Sequence, residues 1–227
     1  DFTITLGLRY TPITRPVEVN GLSNVPYPSD WNNLAPRIGF AWRLPGKWGT
    51  VRSAYGLHYG EIFTTTFMQS RFNPPGNISV SVREPDLADP LKDFDEADLT
   101  PGARSEIFQI APDLSTPYSH QYNFSWERSL GRDWALEIGY VGSRSHRLLM
   151  MWWLNRARVV EGIEQTSLTV DERRPDQRYF NVMHVHNGSR AYFDAAKVTL
   201  RIPRRAGFTV EGSYWWSKAI DLGSDYT

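Results

Sequence analysis

In seven separated segments of this chain apolar and polar residues alternate with period two, which dictates strands with one apolar face. Phe2, Ile4, Leu6, Leu8 and Tyr10 interleave with Thr3, Thr5, Gly7 and Arg9. Ile38, Phe40, Trp42 and Leu44 oppose Arg37, Gly39, Ala41 and Arg43. Val51, Tyr55, Leu57 and Tyr59 share a face interrupted only by Ser53, with Arg52, Ala54, Gly56 and His58 behind. Tyr122, Phe124 and Trp126 oppose Gln121, Asn123 and Ser125, while Trp134, Leu136, Ile138 and Tyr140 oppose Ala135, Glu137 and Gly139. Val198, Leu200 and Ile202 oppose Lys197, Thr199 and Arg201, and Phe208, Val210, Tyr214 and Trp216 have Thr209, Glu211 and Ser213 behind them. These patterns predict strands near 1–10, 34–44, 48–60, 118–130, 134–141, 192–202 and 208–217. Most are close to the roughly 9 to 11 residues with which a tilted strand crosses a bilayer.

The connections alternate between long and short. Residues 11–33, 61–117 and 142–191 read as long loops, and 45–47, 131–133 and 203–207 as tight turns. A membrane barrel has this asymmetry, with short turns on one rim and long loops on the other. Connections of about fifty residues in a compact soluble domain would instead count against the strand assignment. Seven of the 15 prolines fall between Glu61 and Pro117, where they interrupt both helix and sheet. The expected fold is all-β: an antiparallel up-and-down meander of about seven strands, one partial transmembrane β-barrel domain over 1–227. Its lipid-facing side chains would be Phe40, Trp42, Tyr55, Leu57, Phe124, Trp126, Leu136, Ile138, Val198, Leu200, Val210 and Tyr214. Arg37, Ala41, Arg52, Asn123, Glu137, Lys197, Thr199 and Glu211 would face the lumen. A soluble β-sandwich with one wet face is the competing architecture.

Composition narrows the classes further. With no cysteine there is no disulfide framework, zinc ribbon, iron-sulfur cluster or thiolate nucleophile. Twenty-five basic residues balance 25 acidic ones, which removes the electrostatic footprint of a general nucleic-acid binder. Mean hydropathy is -0.46 and no apolar run approaches the roughly 18 residues of a membrane helix. A barrel escapes that test, since only every second residue meets lipid, and its aromatic girdles fit the 9 Trp and 11 Tyr. The chain opens DFTITLGLRY without an initiator Met or a basic leader, and reads as an excerpt of a longer protein.

Five phrases, in order along the chain, carry a family resemblance: NLAPRIGFAW (33–42), TVRSAYGLHYG (50–60), QYNFSWERSLG (121–131), LEIGYVGSRSHRL (136–148) and GFTVEGSYWWSKAID (207–221). Together they closely resemble the barrel region of Oar-like TonB-dependent receptors. The resemblance implies a Gram-negative outer-membrane protein whose whole barrel has about 22 strands and a plugged lumen. It further implies import energised through the TonB complex, which would engage parts of the protein outside this sequence. Outer-membrane lipid and lipopolysaccharide would be its surroundings. Ligand capture would fall to the extracellular loops, with no cofactor. A carbohydrate-binding sandwich module, stacking exposed aromatics on sugar rings, is an alternative, as is a non-transporting adhesin or secretion-linked barrel.

Reactive constellations are sparse. No G-x-S-x-G elbow marks a nucleophilic serine, although Ser145 stands beside His146. Asp86 and Asp89 lie in a proline-rich stretch without the apolar surroundings that raise a catalytic carboxyl's pKa, so no enzyme is expected. Asp93, Asp95 and Asp98, in DFDEAD, supply hard oxygens suited to calcium but lack the glycine-bearing twelve-residue loop. Residues 61–117 hold ten acids against four bases, and 142–191 eight arginines against five acids. Solvated loop charge accounts for both, and loops of opposite sign closing over the barrel mouth is the sharper reading. His184 and His186 in MHVH would point the same way from an extended chain, without a third ligand at a diagnostic spacing. The run LLMMWW, 148–153, reads as a strand rising past the bilayer into folded loops, or as an apolar gripping surface.

Overall fold

Each alternating segment forms a strand, and an eighth lies where the sequence reads as loop. The computed structural model describes the chain except residues 22–23, 75–85, 91, 93–104, 132–133, 206 and 224–227. In chain order the strands are β1 (Phe2–Tyr10), β2 (Leu34–Arg43), β3 (Thr50–Tyr59), β4 (Ser105–Ile110), β5 (Tyr118–Ser129), β6 (Ala135–Trp153), β7 (Tyr179–Arg205) and β8 (Phe208–Asp221). A short helix, α1 (Thr64–Met68), runs into a 3-10 turn over Gln69–Phe72.

The strands make one sheet that does not close among the described residues. β1, β2, β3, β5, β6, β7 and β8 follow one another as an antiparallel meander, and β4 adds to the upper part of β7 in parallel. β7 is long enough to take both partners: its residues 191–205 pair with β8 and 179–185 with β4.

Two loop expectations are corrected. Residues 142–191 are mainly strand, because β6 continues to Trp153 and β7 begins at Tyr179, leaving 154–178 as the connection. Residues 61–117 hold α1, the 3-10 turn and β4. The period-two signal fails there because both faces are covered: Met183 and Val185 are buried on one side, and His184 and His186 are half-buried on the other. A shift of register between Ser145 and Leu148, with Arg147 at φ 54°, separates the regular lower part of β6 from this extension. LLMMWW is thus strand paired with β7, and Leu149 packs beneath the loops.

The apolar core sits among the loops, the end of β4 and the extension of β6, not on the apolar face of the meander. Val25, Tyr27, Ile110, Ala111 and Leu114 form it, with Ile62, Phe67 and Leu149 against them. The apolar face of the meander is bare even on interior strands: Phe40 is 37% exposed, Phe124 45%, Ile138 42% and Val198 44%. A β-sandwich would cover that face with a second sheet, and the described residues form one sheet only.

Candidate functional site

Paired residues in an antiparallel ladder point to the same face, so the register sorts every side chain named from the sequence. Trp42 pairs with Val51, which pairs with Trp126, then Ile138, Val198 and Tyr214. Phe40, Tyr55, Leu57, Phe124, Leu136, Leu200 and Val210 fall on that face as well. Ala41 pairs with Arg52, Arg37 with Gly56, Glu137 with Thr199, Thr199 with Ser213 and Arg201 with Glu211, all on the opposite face with Asn123 and Lys197. The twelve side chains expected to face lipid and the eight expected to face the lumen therefore occupy opposite sides of the sheet.

The polar face is hollow where its residues are small. Gly7, Gly39, Ala41, Ala54 and Gly56 line an open concavity of about 700 Å³, rimmed by Arg37, Arg52, His58, Gln121 and Asn123. Toward the short turns the same face carries a row of opposite charges across five strands. Arg52 Nη1 is 2.9 Å from Glu127 Oε2; Glu137 takes Lys197 at 3.4 Å and Arg201 at 3.3 Å; Arg201 Nε donates to Glu211 at 2.9 Å. Glu127 and Glu137 face each other across β5 and β6, a like-charge pairing that these cations offset.

At its other end the apolar face becomes polar. Arg144 donates to both oxygens of Asp194 at 2.9 and 3.0 Å, Tyr140 donates to the same carboxylate, and the Tyr122 ring lies beside Tyr140 and under Arg144. Aromatics also mark the turn end: Trp126 Nε1 donates to the Trp48 carbonyl at 2.8 Å, and Arg128 lies over the Trp48 ring. Continuing the even-numbered parity of β7 down to Asp194 is the signal by which sequence reading would have found this cluster.

Three asparagines shape the loops, and no periodicity reveals them. A carboxamide holds one acceptor and two donors, so it can replace a missing strand partner. Asn73 donates to the Phe108 carbonyl and accepts from its N–H, both at 2.7 Å. Asn187 does the same to Ser115 at 2.9 and 2.8 Å, and also donates to the Arg147 carbonyl at the register shift. Buried Asn155 donates to the carbonyls of Asp176, Tyr179 and Phe180 and accepts from the Asp176 N–H. The connection 154–178 also closes around buried Arg173, which donates to the carbonyls of Arg158 and Thr166. Arg178 donates twice to the carboxylate of Asp176 and so holds its pKa below the usual carboxylate value. Asn155→Ala should cost about 1 to 3 kcal/mol locally, since four backbone groups lose a partner. Hydrogen exchange over 154–180 should accelerate, while β5 and β8 keep wild-type protection.

Among the described residues no three His, Asp or Glu side chains gather closely enough to hold a metal ion. Asp93, Asp95 and Asp98 lie outside the described residues.

A single sheet with one bare apolar face, one hollow polar face and loops folded at one end defines the wall of a membrane β-barrel. The sequence matches the family model for the outer membrane beta barrel domain over residues 17–227, and the chain belongs to that family, which places it in the outer membrane. No curated protein matches the sequence. Among solved structures it is similar to the outer membrane transporter YddB from Escherichia coli, with 12% identity and a TM-score of 0.49, over 89% of this chain and 21% of that one. It is also similar to two variants of the FrpB iron transporter from Neisseria meningitidis. The F3-3 variant gives 17% identity and a TM-score of 0.48 over 100% of this chain and 25% of that one. The F5-1 variant gives 18% and 0.47 over 96% and 24%. The chain spans a quarter or less of the length of these proteins.

Proposed function

We propose that this chain forms part of the wall of a TonB-dependent outer-membrane receptor of the Oar-like kind, which captures a ligand in its extracellular loops and admits it past a plug. The observation that carries the reading is the division of the sheet: bare apolar side chains on one face, and a hollow lined by glycine and alanine on the other. The first face suits lipid. The second leaves room for a plug, with Arg37, Arg52, Glu137, Lys197 and Glu211 meeting water or plug polar groups. Trp48 and the Trp126 indole N–H then mark the periplasmic interface, and Arg144 with Asp194 the outer one, where lipopolysaccharide lies. The loops are held by paired backbone and amide bonds, which lowers the entropic cost of gripping a ligand.

TonB dependence is tested by titrating the purified full-length protein with the periplasmic domain of TonB. Saturable binding is expected, and its absence would favour an adhesin or secretion-linked barrel instead. Orientation has its own test. Trypsin added to intact cells should cut after exposed Arg156 or Arg158 in the 154–178 connection and spare exposed Lys47 in the β2–β3 turn. Cleavage at Lys47 in unpermeabilised cells would reverse the orientation.

A further inference from the structure

Above the register shift, β6 and β7 bring together side chains that the barrel wall does not use. His184 pairs with Trp152 and His186 with Met150, so all four project from one face of the two strands. The imidazoles of His184 and His186 lie 5.5 Å apart, their planes 24° from parallel. Trp152 stands edge-on to His186 at 4.3 Å. Nδ1 of His184 and both ring nitrogens of His186 are buried without a hydrogen-bond partner. Burying imidazole nitrogens without a partner is costly, which calls for an explanation.

The neighbouring sulfur supplies one. Gly188 leaves a gap filled from two sides: His186 Nε2 stands 2.2 Å, and Met150 Sδ 2.7 Å, from where a Cβ on residue 188 would lie. The thioether is therefore beside an unpartnered imidazole nitrogen, on the strand opposite. The two strands are fixed by their mutual pairing, by β4, and by the Asn187 clamp one residue beyond His186.

We propose that His184, His186 and Met150 bind one soft monovalent metal ion, copper(I), between β6 and β7. Imidazole alone suits zinc and copper alike, but a thioether selects copper(I), and among the described residues no carboxylate gathers with the two histidines closely enough to supply the hard oxygen that divalent ions prefer. The methionine is invisible to spacing rules because it lies 34 residues before His184, on another strand. The site is independent of whether the parent protein transports anything.

The test uses the purified full-length barrel in detergent, titrated anaerobically with copper(I) against a chromogenic chelator, and with silver(I) as an air-stable probe of the same softness. Wild type should hold one copper(I) ion that Met150→Leu weakens at least tenfold. Met151→Leu, on the opposite face of the same strand, should bind as wild type. Both replacements nearly conserve volume and so leave the fold in place. His184→Gln and His186→Gln should each weaken binding as strongly, while zinc competes poorly. Equal affinity of wild type and Met150→Leu, or retention of the ion in the His184→Gln/His186→Gln double variant, would overturn the proposal.

Discussion

Arginine at position 124 should destabilise the full barrel by about 2 to 4 kcal/mol, the penalty for a guanidinium near the bilayer midplane. Phe124 lies on the apolar face between Ser53 and Tyr140, 45% exposed and two residues from Trp126 at the turn end. Asn123, one step along β5, is exposed on the polar face between Ala54 and Val141. Asn123→Arg should cost less than about 1 kcal/mol, because its charge reaches water and the surroundings have room. Reversible unfolding in lipid vesicles gives the comparison, and Phe40→Arg beside Ala41→Arg repeats it on β2. Equal losses within both pairs would mean that neither face meets lipid.

A change of one methyl group at position 49 should cost at least as much. Gly49 ends the β2–β3 turn at φ +88°, where its carbonyl accepts from the Leu44 N–H at 2.9 Å. A Cβ there would stand 2.0 Å from the Glu127 carbonyl oxygen and 2.9 Å from the Arg128 Cα. These are backbone atoms of β5, held in the ladder by β3 and β6, so they cannot rotate away as a side chain would. Gly49→Ala should therefore destabilise by about 2 to 5 kcal/mol, from left-handed backbone strain together with overpacking. Gly46, also at positive φ (65°) in the same turn, has nothing within 4 Å of its Cβ position. Gly46→Ala carries the strain alone, about 1 to 2 kcal/mol. Unfolding midpoints of the two variants check the difference.

The strands of the meander were legible because each has one apolar and one polar face, and alternation records that asymmetry directly. Parity also sorted the side chains into two groups that the ladder places on opposite faces, since a slip of one would have turned Phe40 or Leu200 to the polar face. Legibility ended at Ser145. Beyond it β6 and β7 bury one face under the loop core and half-bury the other, so Met183 and Val185 alternate with histidines instead of with exposed charge. β4 pairs in parallel with a strand more than seventy residues downstream, and six residues reading SEIFQI carry no local sign of that partner. The asparagine clamps were hidden for another reason. Asn73, Asn155 and Asn187 act through backbone groups distant in sequence, and an asparagine in a polar stretch looks like any turn residue.

In a bilayer the two faces of this sheet should meet different media. Because the chain has no cysteine, one can be introduced at each of positions 121 to 126 in a cysteine-free form of the full-length barrel and carry a nitroxide label. Reconstituted in bilayers, each label reports its collision rate with oxygen, which concentrates in lipid, and with a water-soluble nickel chelate. Labels at 122, 124 and 126 should collide mainly with oxygen and those at 121, 123 and 125 with the chelate, alternating residue by residue. Rates that fail to alternate, or that alternate in the opposite phase, would contradict the assignment of the apolar face to lipid.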